Sequence, residues 1–322
     1  MTVTAPLGHT SCGRTGRPGA RPVRGRFGAW RALAALPAIF GGTAVMFVLT
    51  AAWAPLLFVL WLGCAGLWST PLGERLAVRT ALGFRPLPAG RRELIEGVCA
   101  AALARCGLPV GSVDFYVKAG RQPNACATGR RSVAVTDGAV ESFLAGRLPA
   151  DLFGAVLVHE LGHHATRAGR FALAALWLAG PGRVAFRAVL AVTLLLCGRR
   201  RLGRPTWLVI AVGGGVAIVQ AAQQQQWLTV AGVSAIAFAL AVTPVLDGAV
   251  SRASEHAADR YTASVGAGPD LARALVLISG SVADRRGLAR RALDRHPSLP
   301  SRLDRLGRLN AGSAVPVGVL PT

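Results

Sequence analysis

His159-Glu160-Leu161-Gly162-His163 is the stretch on which the reading of this chain turns. Two histidines four positions apart project from one face of a helix, with about 5–6 Å between their β-carbons. That separation lets both imidazoles reach a single zinc ion. Glu160 lies one step round the helix, where it can face the metal's open position and take a proton from water there. A helix is expected from about Ala150, with Asp151 near its start, where a negative charge suits the dipole. His164, next to a ligand, points off the site and reads as a polar neighbour.

A catalytic zinc takes three protein ligands and keeps one place open. The downstream candidates are Glu255, His256 and His296. Ser251–Asp259 looks helical, and Glu255 and Asp259 stand one turn apart on the same face. A carboxylate ligand followed one turn later by a carboxylate that bonds a zinc histidine makes sound support for a metal site. Glu255 is therefore expected as the third ligand of one zinc per chain, and Asp259 as the residue that orients a histidine.

Composition sets the surroundings. Apolar residues make up 52% of the 322, only 16% are charged, and mean hydropathy is +0.45, values that suit a chain partly in lipid. The net charge of +21 is almost entirely arginine, with Lys118 the single lysine. The arginines are not interleaved with aromatics and only two tyrosines are available for stacking, so no nucleic-acid partner is expected. Cysteines at 12, 64, 99, 106, 126 and 197 form no CxxC pair. That excludes a cysteine zinc site and fits a domain in the reducing cytoplasm.

Charge then divides the chain. Residues 1–31 carry six arginines and no acid, and are expected as a disordered cytoplasmic tail. Residues 32–73 are uncharged; at about 20 residues per span, this run fits a transmembrane hairpin turning near Ala51–Pro55. A water-soluble first catalytic part follows at 74–170. It should hold a helix over Arg91–Leu108 and strands at Ser112–Val117, Gln122–Thr128 and Ser132–Thr136. Residues 171–204, apolar but carrying Arg183 and Arg187, read as an interfacial or re-entrant segment. Residues 205–246 form a second uncharged run, with Gln223–Gln226 expected at its turn because amides are costly in hydrocarbon. The second catalytic part is 247–310, and 311–322 is a tail. The basic tail and Arg199–Arg204 place both catalytic parts on the cytoplasmic face of a multi-pass protein of the cell membrane.

Four ordered landmarks resemble a known family, the zinc peptidases that include the bacterial membrane protease HtpX, the mitochondrial Oma-type protease and the CAAX prenyl endopeptidase. Asn124-Ala125-Cys126-Ala127-Thr128-Gly129 is similar to the strand before the family's zinc helix, and His159–His163 to that helix. Ser251–Asp259 resembles its third-ligand helix, and His296-Pro297 with Arg302 its C-terminal motif. The resemblance covers roughly 32–310. It implies an α+β, mostly α, zincin-like fold with a small sheet beside the zinc helix and transmembrane hairpins. It also implies a zinc-dependent metalloendopeptidase acting on polypeptides at the bilayer, membrane or misfolded proteins among them. Asn124, Ala125, Cys126 and Ala127 would pair with an extended substrate, and His296 and Arg302 would lie near the developing oxyanion. Cys126 departs from the bulky apolar residue frequent in the family, and reads as a small buried hydrophobe.

Two rival readings differ in chemistry. An intramembrane site-two-type protease would use Asp247, in Pro244-Val245-Leu246-Asp247-Gly248, as its ligand. There the zinc helix lies in the bilayer, whereas Leu152–Val158 is too short an apolar run to span. A membrane sensor or scaffold retaining a metal site would have no need of a base at Glu160.

Overall fold

The computed structural model describes residues 27–49, 54–87, 90, 92–167, 169, 171–181, 204–279 and 296–313, with single positions between 184 and 195. The expected tail up to residue 26, most of 182–203, and 314–322 lie outside the described residues.

The first uncharged run contributes two helices, α1 (Phe27–Leu49) and α2 (Ala54–Leu67). α1 begins inside the segment read as tail, and its Arg31 guanidinium donates to Ser251 Oγ at 3.3 Å. α2 breaks at Trp68–Thr70, and α3 (Pro71–Thr80) leaves at 98°. Proline at the first helical position and Thr70 as N-cap, accepting from Gly73 N at 3.1 Å, start the new helix there.

α4 (Arg92–Arg105) leads to strands β1 (Asp114–Lys118), β2 (Ala125–Thr128) and β3 (Ser132–Thr136), ordered β1-β3-β2. β1 runs parallel to β3, and β2 antiparallel to it. Both faces of the sheet are covered, so all five β3 residues are buried. Val117, Val133 and Val135 join the main core, while Tyr116 and Ala134 join a second cluster with Phe84 and Val78. This is why β1 buries Tyr116 against the simple alternation expected of it. β2 is shorter than expected because Asn124 N turns to Thr136 Oγ1 at 2.9 Å, and Thr136 Oγ1 donates to Gln122 O at 2.8 Å.

α5 (Asp137–Leu144) leads to α6 (Ala150–Ala165), which carries His159–His163. Phe153, Leu157 and Leu161 are each at most 1% exposed, and such a side chain contributes about 2 kcal/mol by leaving water. A helix buried on nearly every side belongs at the centre of a core, and α4 and the helices Trp227–Ser264 and Gly268–Ser279 all pack on α6. Then come α7 (Ala172–Leu178), α8 (Arg204–Gln223), α9 (Trp227–Ser264), α10 (Gly268–Ser279) and α11 (Leu299–Ser313). The α8–α9 connection falls in the glutamines, with Gln225 at a φ of 58°.

α9 does not end with the apolar run. It continues past Asp247 to Ser264, so one 38-residue helix holds both the apolar stretch and the Ser251–Asp259 segment. Among the described residues it is the one helix long and apolar enough to cross a membrane, or one of two if α2 and α3 count as a bent span. The fold is mostly helical, with a small three-stranded sheet beside α6, as the sequence leads one to expect.

Candidate metal centre

Helical spacing sets His159 and His163 on one face of α6, with ring centroids 5.0 Å apart and planes at 84°. α9 crosses this face where α6 has no side chain. A Cβ on Gly162 would lie 3.2 Å from Ala258 Cα, so glycine permits the approach. Glu255 enters from α9, its Oε2 3.4 Å from His159 Nε2 and its Oε1 3.4 Å from His163 Nε2.

The remaining ring nitrogens are occupied. His159 Nδ1 lies 3.1 Å from Asp259 Oδ1, and His163 Nδ1 lies 3.0 Å from Ser254 Oγ. Each imidazole is thereby turned so that Nε2 faces the carboxylate of Glu255, the arrangement found where histidines bind metals. Donors on a tetrahedral zinc at about 2.0–2.1 Å stand about 3.3 Å from one another. Glu255 sets one carboxylate oxygen 3.4 Å from each imidazole, close to that edge, so the two imidazoles and the carboxylate are donors of the right chemistry to hold the ion between them. The ligating atoms of His159, Glu160 and His163 lie within 4.8 Å of one another, which keeps Glu160 beside the same point.

Glu160 is held by the sheet. Its Oε2 accepts from Ala127 N at 2.6 Å. β2 is an edge strand, and alternation of the ladder turns the N–H groups of Ala125 and Ala127 away from β3. Asn124 Oδ1 takes the Ala125 N–H at 2.9 Å, so side chains hold both outward donors. Ala125 belongs to the main core and Cys126 packs against the second cluster. Cys126 is half-buried, and desolvation pushes its thiol up, against the pull of Lys118 4.0 Å away.

Arg302 is buried beside the histidines, with a terminal nitrogen 3.3 Å from His159 Nε2. It reaches Asp259 from Nε at 3.0 Å and from a terminal nitrogen at 2.6 Å, and Glu255 Oε2 at 3.4 Å. A guanidinium so engaged holds the Asp259 carboxylate in place. His296 is the exposed member, its side chain 74% accessible, with Nδ1 3.3 Å from Glu255 Oε1. The bond to Glu255 outweighs burial and raises its pKa. Burial disfavours a charged His159, but its hydrogen bonds to the Asp259 and Glu255 carboxylates prevail and carry it up to about 9.

Asp247, the ligand of the intramembrane alternative, lines a separate cavity of about 250 Å³ with Arg31, Thr128 and Ser251. Sequence reasoning did not anticipate the Ser254 bond to His163 or the Ala127 bond to Glu160. The position of Ser254, adjacent to the carboxylate ligand, was its only signal. The Ala127 bond had none, because it joins a strand to a helix.

A helix carrying His159-Glu160-Leu161-Gly162-His163, approached by a glutamate from a second helix, is an arrangement of the kind found in zincin-like peptidases. The chain belongs to peptidase family M48, whose family model matches residues 89–310. Among solved structures, that of Ste24p from S. mikatae is similar, with 18% identity and a TM-score of 0.42 over 82% of this chain. The chain spans 64% of that protein's length. Comparison with curated proteins returns no match.

Proposed function

We propose that this chain is an integral membrane zinc metalloendopeptidase. The observation that carries the reading is the pair of 3.4 Å approaches of Glu255 to two different imidazoles, with Glu160 beside them. His159, His163 and Glu255 would hold one zinc. When bound, it supplies Lewis acidity to the scissile carbonyl and makes water acidic enough to attack near neutral pH.

The chain's own groups do the rest. An extended polypeptide adds to the free edge of β2 along Asn124–Ala127, and its backbone competes for donors now held by Asn124 and Glu160. Glu160, released from Ala127, takes the proton of the attacking water and delivers it to the leaving amine. His296, exposed and drawn toward its charged form by Glu255, donates to the tetrahedral oxyanion. Asp259 fixes the His159 ring, and Arg302 fixes Asp259. The oxyanion role that the resemblance attaches to Arg302 thus becomes a supporting one.

Membrane residence rests on α9 and on the apolar helices α1, α2 and α8. A multi-pass arrangement with the metal centre at the cytoplasmic face rests on the basic clusters flanking the two uncharged runs. Substrates would be polypeptides presented at the bilayer, membrane or misfolded proteins among them.

The test is casein hydrolysis in mild detergent by the zinc-loaded chain, its Glu160→Gln variant and a chelated control. Cleavage by the first alone supports the peptidase. A variant that cleaves as fast as the parent would remove Glu160 from the mechanism. Zinc-dependent folding without cleavage, unaffected by Glu160→Gln, is the pattern of a metal-retaining scaffold.

A further inference from the structure

We infer that Glu74 is a positioning residue for the substrate-binding edge strand. It lies on α3, before the segment that matches the family model, and is only 3% exposed. Its carboxylate is committed to the turn between β2 and β3. Oε2 accepts from Arg130 N at 2.8 Å, and Oε1 accepts from Arg131 N at 2.9 Å and from Ser132 Oγ at 2.7 Å. Two consecutive backbone N–H groups and a hydroxyl thus converge on one buried anion, the cradle that a tight turn offers to negative charge.

The turn is shaped around that anion. Gly129 has a φ of 65°, and a Cβ there would lie 2.4 Å from Glu74 Cδ. Glycine is required both for the conformation and for the space. On the far side, a Cβ on Gly169 would lie 2.3 Å from Gly129 O, so the loop after α6 packs against the same turn. His164, immediately after the ligand His163, brings Nε2 to 3.2 Å from Ser132 O. The turn is gripped by α3 on one side and by the end of the zinc helix on the other.

What the grip controls is β2, which ends at Thr128, directly before the turn. β2 makes its ladder with β3 alone, and its outer edge carries the Ala127 N–H that Glu160 accepts at 2.6 Å. Anchoring the turn therefore fixes the distance between the edge strand and Glu160. α3 is itself anchored to the apolar helix before it: a Cβ on Gly73 would lie 2.0 Å from Leu67 O. The line from α2 through Glu74 to β2 makes the substrate edge a fixture of the membrane-proximal helices. Through its contact with Ser132 O, His164 also has a task beyond that of a polar neighbour.

The inference rests on the peptidase reading for its kinetic consequence but not for its structural one, and the experiment separates them. Full-length Glu74→Gln, Glu74→Ala and Ser132→Ala are compared with the parent in detergent, zinc-loaded. Hydrogen exchange of residues 125–132 and 150–165 is followed alongside casein-peptide kinetics and bound zinc. Glu74→Ala is expected to speed exchange in 125–132 at least tenfold while 150–165 stays protected and zinc stays at one per chain. KM should rise several-fold with a smaller change in kcat, and Glu74→Gln, which keeps an acceptor oxygen, should fall between parent and alanine. Unchanged exchange in 125–132, or a loss of activity that tracks loss of zinc, overturns the proposal. If the parent cleaves nothing, the peptidase reading fails while the exchange pattern still decides the role of Glu74. Should neither Glu74 variant fold, Ser132→Ala must reproduce part of the exchange effect, and its failure to do so overturns the proposal as well.

Discussion

Glu160 Oε2 and Ala127 N are joined by a hydrogen bond of 2.6 Å, so the carboxylate beside the metal centre and the edge strand share one contact. On the proposed mechanism, a substrate strand pairing with that backbone would release the carboxylate. Replacing Glu160 by Gln keeps the size and removes the base. Hydrolysis of casein is expected to fall by about 10²–10⁴-fold with zinc still bound. A variant retaining more than a tenth of the parent rate would rule out general-base chemistry at this position.

Among the described residues outside α6, Glu255 is the one that meets both imidazole Nε2 atoms. Glu255→Ala should strip the catalytic zinc after dialysis. Elemental analysis showing stoichiometric zinc in that variant would sink the ligand assignment.

Asp259 bonds His159 Nδ1 and takes two donors from Arg302, with no exposure to solvent. Asp259→Asn is expected to weaken zinc binding by about 10–100-fold. It should also lower the melting temperature, because it strands the Arg302 charge. Competition with a chromophoric chelator measures the first effect and calorimetry the second. Unchanged zinc affinity would argue that His159 needs no help from Asp259.

Gly162 admits α9 against α6, with Ala258 backbone 3.2 Å from where a Cβ would sit. Gly162→Val must push the helices apart and withdraw Glu255 from the histidines. Zinc content and thermal stability should drop together, although no ligand has changed. A fully loaded valine variant would show that the crossing is less tight than this.

In the metal-free chain, His159 is raised to about 9 by its two carboxylate partners. Zinc binding must displace that proton. Affinity should therefore rise with pH through the neutral range, by about tenfold per pH unit where one proton is released, and level off above 9. A pH-independent affinity between 6 and 8 would mean that His159 is already neutral there. The same bonds stabilise the metal-free protein most fully below the ordinary histidine value of about 6.5. That contribution is lost as pH rises through 9.

Much of this protein was legible in its sequence because the features are local. Helical periodicity sets the i,i+4 pair His159 and His163, the apolar runs report on helices, and the Gly129-Arg130-Arg131 turn separates β2 from β3. Each follows from the backbone's own repeat and from what an apolar side chain gains by leaving water. Family resemblance was legible for the same reason, since it rests on short motifs in fixed order. Tertiary structure decided the rest. It alone carries α9 unbroken from the apolar run into the Glu255 segment, turns Arg302 inward onto Asp259, and sets Ser254 on His163. It alone sends Glu74 into a turn 56 and 57 residues away in the chain. Those contacts join groups with no common period. Their partners are selected by the space and charge left when helices and sheet close on one another, and that is settled only once the chain has packed.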